Sequence, residues 1–236
     1  LPERTADATE AANSALRKKV EEITKDFVTE VEICADLNHP NLVRLLGYAD
    51  HPSLVLVHEL LRGKSLDQQL YIENWKPSHR QVLLAGLDVA RGMDYLHTRF
   101  LADDNIHDQP IIHRDLKTPN LLLVEEQPGT EDIHLKIADF GLARAFKKTN
   151  NQNFTVRVVT RWYRAPEIII VEKDYNTQAD IWSAGCIVAD LINFCPNSTI
   201  DQVKSTFTGK SCFPLSPYSK GIEFSEFVNS INSKYK

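Results

Sequence analysis

Apolar residues in the first part of the chain recur with the period of an α-helix. Residues 5–38 contain neither Gly nor Pro, and their apolar positions lie three or four apart: Leu16, Val20, Ile23, Phe27, Val31 and Cys34. This spacing places them on one helix face, so we expect a long amphipathic helix over residues 5–38. Pro40 in the following Asn-His-Pro-Asn run should stop it, because a residue before proline disfavours helical geometry.

Short apolar runs predict two small antiparallel pairs of strands. Residues 42–46 and 54–57 are separated by Gly47 and a His-Pro step, and we expect them to form a small sheet. Residues 121–124 and 134–137 flank a polar loop and predict a second pair of short strands.

Helical patterns dominate the remainder of the chain. Serine followed three residues later by glutamine fits a capping box, in which each side chain bonds an amide of the first helical turn. This pattern occurs twice, at Ser65 with Gln68 and at Ser78 with Gln81. The second pair should begin a long helix that reaches about Leu96. Thr177 is expected to cap another apolar helix, residues 180–194.

Composition is that of an ordinary globular protein. Of 236 residues, 42% are hydrophobic and 25% are charged, which excludes disordered, collagen-like and coiled-coil classes. The 27 Lys and Arg against 32 Asp and Glu give a net charge of −5, which disfavours nucleic acid as a partner. No 18-residue stretch lacks charge, so we expect no membrane partner. The four cysteines lack C-x-x-C spacing and the first residues lack a signal-peptide pattern, which indicates an intracellular protein of the cytoplasm or nucleus.

Three motifs point to one chemistry. The sequence contains His113-Arg-Asp-Leu-Lys-Thr-Pro-Asn120, then Asp139-Phe-Gly141, then Ala165-Pro-Glu167. In this order they match the H-R-D-L-x-x-x-N, D-F-G and A-P-E motifs of protein kinases. A lone D-F-G would mean little, whereas the three together are specific. From about residue 27 to 213 the chain resembles eukaryotic protein kinases.

The resemblance implies an α+β, two-lobed protein-kinase-like fold. Residues 1–61 would form a small sheet-plus-helix N-lobe, with the hinge near residues 59–61. Residues 62–236 would form a larger, mainly α-helical C-lobe. That lobe would contain a catalytic loop at 113–120 and an activation segment at 139–167, and ATP would bind in the cleft between the lobes.

The resemblance also assigns roles in phosphoryl transfer, which requires metal ions, an aligned hydroxyl and a proton acceptor. Asp115 would be the catalytic base, Lys117 would hold the transferring phosphate, and Thr160 would close the platform beneath the acceptor. Asn120 and Asp139 would supply the oxygen ligands that Mg²⁺ prefers.

Further positions match the nucleotide site and its supports. Glu30 would pair with a strand lysine, His58 would be the gatekeeper, and Glu59 and Leu61 would bond adenine through their backbone groups. Leu122 would lie beneath the adenine. Four residues match structural supports of the site, among them the helix aspartate that holds the catalytic-loop backbone: His113, Phe140, Glu167 and Asp180.

The catalytic loop and the activation segment also indicate which residue is phosphorylated and which kinase subfamily the chain resembles. Lys117 together with Thr160 is typical of serine/threonine kinases, so the partner would be a protein with a Ser or Thr acceptor. Residues 158–167 and 210–217 resemble cyclin-dependent and mitogen-activated kinases, which favours a proline-directed preference. Residues 39–48 and 88–97 instead resemble receptor-like and tyrosine-kinase-like families, so the subfamily stays open.

The resemblance places a regulatory phosphate on the activation segment. Thr155 lies five residues before Thr160, at the position of an activating phosphothreonine, and an upstream kinase would be the partner that modifies it. Arg114 and Arg144 are expected to bind that phosphate as bidentate donors.

Two expected features of a kinase N-lobe are not evident. The first glycine is Gly47, so none of the first 46 residues can form a glycine-rich hairpin, and no lysine partner of Glu30 is evident. Lys18 and Lys19 lie on the predicted helix of Glu30 and are expected to be solvated. We therefore expect a kinase domain that is incomplete at both ends. Three hypotheses remain: a fragment of an active kinase, a pseudokinase or scaffold, and a kinase that obtains the missing charge from another residue.

Overall fold

The computed structural model of the chain describes residues 3–98, 110–125, 131–145, 161–169 and 176–196. All of them lie within one of the two units into which the chain divides, Leu1–Thr206. The helices are α1 (Glu3–Ala35), α2 (His79–His97), α3 (Pro166–Ile169) and α4 (Gln178–Phe194). The strands are β1 (Leu45–Ala49), β2 (Val55–His58), β3 (Ile111–Ile112), β4 (Leu121–Leu123), β5 (Leu135–Ile137) and β6 (Arg144–Ala145). Three antiparallel pairs form, β1–β2, β3–β6 and β4–β5, and the predicted α+β class is confirmed.

Helix α1 confirms the predicted helix but ends three residues early. The amide of Leu37 bonds the carbonyl of Cys34 at 3.2 Å, a tight turn that closes the helix. Cys34 is buried, whereas Leu16, Val20 and Ile23 are 61%, 54% and 50% exposed. The apolar period therefore predicted the helix correctly, but among the described residues only its C-terminal part packs against the core.

The predicted strand at residues 42–46 is wrong in its first half. Strand β1 begins at Leu45 and pairs with β2 from Leu45–His58 to Ala49–Val55. The residues before it bond strand β5 instead: Val43 N donates to Ile137 O at 2.8 Å, and Ile137 N donates to Asn41 O at 2.9 Å. These bonds join the β1–β2 region to the strand that leads to Asp139.

One capping box formed completely. Ser78 Oγ accepts the amide of Gln81 at 3.3 Å, and Gln81 Oε1 accepts the amide of Ser78 at 2.8 Å. At the other site Ser65 Oγ accepts the amide of Gln68 at 3.2 Å, ahead of a π-helical turn at Gln68–Ile72.

The predicted cap at Thr177 is wrong. Its backbone is already helical, so its side chain makes no cap bond. The amide of Gln178 is satisfied instead by the side-chain oxygen of Asn176 at 2.9 Å.

Helix α2 lies between strand β5 and helix α4 and organises the core. Its buried carboxylate Asp88 accepts the amide of Leu135 at 2.9 Å, which fixes the start of β5. Apolar side chains of α2, β4, β5 and α4 pack together around it: Val82, Val89, Met93, Leu96, Leu121, Leu135, Ile137, Ile187 and Leu191. The core thus holds rigidly the strands that precede and follow the candidate site.

Two glycine substitutions should separate close backbone packing from open space. A Cβ at Gly63 would overlap the carbonyl oxygens of Leu123 and Glu125, whereas one at Gly185, inside α4, meets nothing. We expect Gly63→Ala to lower the free energy of unfolding by about 2 kcal/mol. Gly185→Ala should raise it by about 0.5 kcal/mol, because alanine is the better helix former. Urea unfolding of both variants tests this packing, and equal effects would contradict it.

Candidate active site

The catalytic loop places two polar side chains, those of Lys117 and Asn120, around the carboxylate of Asp115. Asp115 is buried, and its Oδ2 accepts a bond from Lys117 Nζ at 2.6 Å. The side-chain amide of Asn120 donates to Asp115 O at 2.9 Å and to its Oδ2 at 3.3 Å. Asp115 Oδ1 is buried and has no hydrogen-bond partner within the described part of the chain. One carboxylate oxygen is therefore neutralised and the other is left to accept a proton.

Asp180 bonds the backbone at the start of this loop. Its Oδ2 accepts the amide of His113 at 2.8 Å, and its Oδ1 accepts the amide of Arg114 at 2.9 Å. Arg114 has φ 67°, in the left-handed region that a side chain disfavours. The two bonds therefore hold a strained turn immediately before Asp115.

His97 was missed by the sequence analysis. Its Nε2 donates to Asp180 Oδ2 at 2.9 Å, so that carboxylate is oriented by a third donor. In the sequence, His97 stands out only as a histidine at the C-terminal end of an apolar helix. The helical period does not indicate that its side chain bonds Asp180.

The segment at Asp139 is tied to the catalytic loop. The amide of Ala138 donates to Asn120 O at 2.8 Å, and His113 Nε2 donates to Ala138 O at 3.1 Å. The rings of His113 and Phe140 lie 5.1 Å apart. Asp139 has φ 66° and is exposed, so its carboxylate faces solvent at the end of β5.

Asn120 and Asp139 offer side-chain oxygen atoms that fit a divalent cation bound to a polyphosphate. Both hydrogens of the Asn120 amide are used on Asp115, which leaves the amide oxygen as a ligand. Asp139 adds a carboxylate. Among the residues that the structure describes, no group of three or more His, Cys, Asp or Glu could hold a metal. Two protein oxygens suffice where phosphate and water complete the shell, as magnesium sites prefer.

Comparison with known proteins agrees with this geometry. The sequence profile of the protein kinase domain matches residues 5–215. The chain belongs to the protein kinase family.

Individual relatives come from both branches that the sequence resembles. The chain is 35% identical over 203 residues to a cysteine-rich receptor-like protein kinase of Arabidopsis thaliana, covering 84% of this chain and 28% of the relative. It is 36% identical over 177 residues to human cyclin-dependent kinase 11A, covering 67% and 20%. A chain of the yeast RNA polymerase II CTD kinase CTDK-1 complex superposes with a TM-score of 0.61 at 27% identity, covering 80% of this chain and 54% of that chain. The chain thus spans about a quarter of the length of these two curated relatives.

The proposed hinge residues of this kinase domain lie where β2 ends. His58 is half-buried, and burial lowers the pKa of its imidazole. The side chain of Glu59 accepts Arg44 N at 2.9 Å and Lys136 Nζ at 2.6 Å. Burial acts to raise the pKa of Glu59, but these bonds lower it overall. Leu61, the last of the proposed hinge residues, is half-buried.

Leu122 lies on the strand pair that Glu59 contacts. It is half-buried in β4, directly opposite Lys136 of β5. The Glu59–Lys136 bond therefore fixes the hinge against the strands that would lie beneath an adenine ring.

Glu30 lies beside Asp139, and no ion pair with a lysine is seen for it within the described ranges. Burial and the Asp139 charge raise the pKa of Glu30, and the cation that opposes this shift is Arg144. Lys18 and Lys19 are exposed on the same helix, as predicted. Lys18 precedes Glu30 by 12 residues (30 − 18), which is about 18 Å along the axis.

Arg114 and Arg144, the arginines expected to bind a regulatory phosphate, both bond the backbone at the start of the activation segment. Arg114 Nε donates to Leu142 O, while Arg144 donates to Ala143 O at 2.7 Å and to Asp26 Oδ1 at 2.8 Å. Glu167 is half-buried in the first turn of α3. The predicted Thr155 and Thr160 lie outside the described residues.

The described helices do not include one that is long and apolar enough to cross a membrane.

Buried histidines should make stability depend on pH. Burial lowers the pKa of His39, His58 and His113 below the ordinary 6.5. Below about pH 6.5 the histidines of the unfolded chain bind protons that the folded chain does not bind. The free energy of unfolding therefore decreases as the pH falls below this value. We expect the urea midpoint to decrease from about pH 7.5 to about pH 6. His58→Gln should flatten this slope, while His79→Gln, which alters an exposed side chain, should not; a slope unchanged in both variants would contradict the assignment.

Proposed function

We propose that this domain is an ATP-dependent protein serine/threonine kinase. The observation that carries the proposal is Asp115 Oδ1, a buried carboxylate oxygen with no partner among the described residues, beside a lysine that neutralises the other oxygen. A buried acceptor costs free energy unless a donor reaches it. An acceptor hydroxyl would supply that donor at the point of reaction.

Asp115 and Lys117 divide the work at the reacting centre. Asp115 Oδ1 would accept the hydroxyl proton and align the attacking oxygen, while Lys117 would stabilise charge on the transferring phosphate. Asn120 and Asp139 would hold Mg²⁺, which supplies charge neutralisation of the triphosphate when bound. Asp180, His113 and the strained turn at Arg114 would keep these groups fixed.

The nucleotide would lie against the hinge and the β4–β5 pair. His58, the backbone of Glu59 and Leu61, and the side chain of Leu122 would line it, and Glu30 would lie at its phosphate end. The Glu59 side chain is already used on Arg44 and Lys136, which leaves its carbonyl for adenine.

The acceptor is proposed to be serine or threonine. Lys117 together with Thr160 supports this class. The two side chains would limit the space for the acceptor, so that only a small alcohol side chain fits. The likeness of residues 158–167 to cyclin-dependent and mitogen-activated kinases supports a proline-directed preference.

A pseudokinase or scaffold is the second candidate, and one observation favours it. The cation that acts to lower the pKa of Glu30 is Arg144, where a kinase would be expected to have a strand lysine. A chain without that lysine would stabilise the phosphates less, so we expect slow transfer by these 236 residues alone. Mg-ATP titration by thermal shift separates a nucleotide binder from an empty scaffold.

Asp115→Asn should abolish transfer while Mg-ATP binding persists. The substitution keeps the shape and removes the proton acceptor, so we expect a decrease in kcat of at least about 100-fold. Radiolabelled phosphate transfer to myelin basic protein measures the rate, and a titration measures binding. Asp50→Asn, an exposed change, is the matched control. Undiminished transfer by Asp115→Asn would refute the role of Asp115 as the proton acceptor; no transfer by the parent chain with retained Mg-ATP binding would favour the scaffold.

Phosphorylation of Thr155 by an upstream kinase is proposed to raise activity. Arg114 and Arg144 bond the adjacent carbonyls of Leu142 and Ala143, which supports the proposal that both guanidinium groups bind one phosphate. After treatment with an upstream kinase, we expect the Thr155→Ala variant to transfer phosphate about tenfold more slowly than the treated parent. Without that treatment the two proteins should have the same rate. Equal rates for Thr155→Ala and the phosphorylated parent would show that this threonine is not a switch.

A further inference from the structure

A buried chain of hydroxyl groups lies beneath the catalytic loop. Thr118 Oγ1 and Tyr163 Oη are 3.0 Å apart, and Tyr163 Oη donates to Asp190 Oδ2 at 2.7 Å. The three residues are 0%, 3% and 7% exposed. They come from the catalytic loop, the segment before Ala165-Pro-Glu167, and helix α4.

The direction of the hydrogen bonds follows from the number of protons. Tyr163 has one hydroxyl proton, and the carboxylate of Asp190 can only accept it. The phenolic oxygen must then accept the proton of Thr118. Burial raises the pKa of Tyr163, so the proton stays on the phenol. The alternative acceptor for Thr118, Asp67 Oδ1, is farther away at 3.4 Å. The order is therefore Thr118 to Tyr163 to Asp190.

Helix α4 holds Tyr163 at both of its polar ends. Ser183 Oγ donates to Tyr163 O at 2.7 Å, and Asp190 binds the hydroxyl. The same helix holds the start of the catalytic loop through Asp180. Helix α4 thus contacts the loop directly at His113 and indirectly, through Tyr163, at Thr118.

Lys117 lies between these two attachments. Its neighbour Thr118 has no exposed surface, and its own Nζ bonds Asp115 at 2.6 Å with the side chain only 20% exposed. A shift of Thr118 would therefore move the backbone that carries Lys117.

We propose that Tyr163, acting through Thr118, is a positioning residue that fixes Lys117 against Asp115 and so links the end of the activation segment to the reacting centre. The inference rests on the proposed function for its consequence in catalysis. The geometry it concerns can be measured without any phosphoryl transfer.

The first test measures how well Lys117 is held. The folded full chain is treated with an amine-acetylating reagent, and mass spectrometry follows Lys117 relative to the exposed Lys25. We expect Tyr163→Phe and Thr118→Val each to increase the acetylation rate of Lys117 about fivefold, as loss of one hydrogen bond allows. The double variant should show no further increase, because both changes break one chain.

Matched variants separate positioning from general loosening. Tyr95→Phe also removes one hydroxyl contact, the bond from Asn38 N at 3.2 Å, and should leave Lys117 protected. Thr118→Ser keeps the donor and should restore most of the protection. Unchanged acetylation in Tyr163→Phe and Thr118→Val would overturn the proposal, as would additive effects in the double variant. If Tyr163→Phe does not fold, the Thr118→Val and Thr118→Ser pair decides alone.

The second test concerns turnover with myelin basic protein and Mg-ATP. We expect Tyr163→Phe to lower kcat about tenfold at an unchanged KM for ATP, because the change displaces Lys117 and not the nucleotide. A raised KM for ATP with unchanged kcat would contradict the positioning role. If the parent chain transfers no phosphate, the proposed function fails, and the acetylation result still decides whether Tyr163 positions Lys117.

Discussion

The carboxylate of Asp180 lies inside the protein and accepts the amide protons of two consecutive loop residues, His113 and Arg114. Those amides would otherwise be buried without partners, at a cost of about 1–3 kcal/mol each. The bonds also hold the left-handed backbone of Arg114, which turns the chain so that Asp115 points into the site. The positions of Lys117 and Asn120 are defined relative to Asp115, so they depend on the same carboxylate.

Other buried carboxylates act in the same way on other segments. Asp88 on α2 accepts the amide of Leu135 and fixes β5, while Asp190 on α4 accepts the hydroxyl of Tyr163. A buried charge is tolerated only when donors surround it, so each carboxylate requires one geometry of the segment it binds. Two helices that pack against each other thus present acidic side chains that set the strand before Asp139, the catalytic loop and the end of the activation segment.

Sequence reasoning succeeded where the information is local. The apolar period predicted α1, and the spacing of Ser78 and Gln81 predicted a capping box that formed. It was wrong where a distant segment forms the backbone hydrogen bonds. The amide of Val43 bonds Ile137 of β5 and does not take part in the predicted pairing with residues 54–57. His97, Asp88 and Asp190 bond residues that lie 83, 47 and 27 positions away, respectively, and no period in the sequence encodes such pairs. Exposure of Leu16 and Val20 was equally unpredictable, because a helical period does not specify what covers the face.

The electrostatics around Glu30 connect helix α1 to Asp139, a proposed metal ligand. Glu30 and Asp139 are like charges, and their proximity raises the pKa of Glu30 while Arg144 opposes it. Arg144 is at the same time paired with Asp26, one turn before Glu30 on α1, at 2.8 Å. A cation bound at Asp139 would relieve the repulsion that Glu30 experiences, and a phosphate bound at Arg144 would compete with Asp26 for the same guanidinium. Asp26 and Glu30, one turn apart on α1, would therefore both respond to charge placed at Asp139 or Arg144.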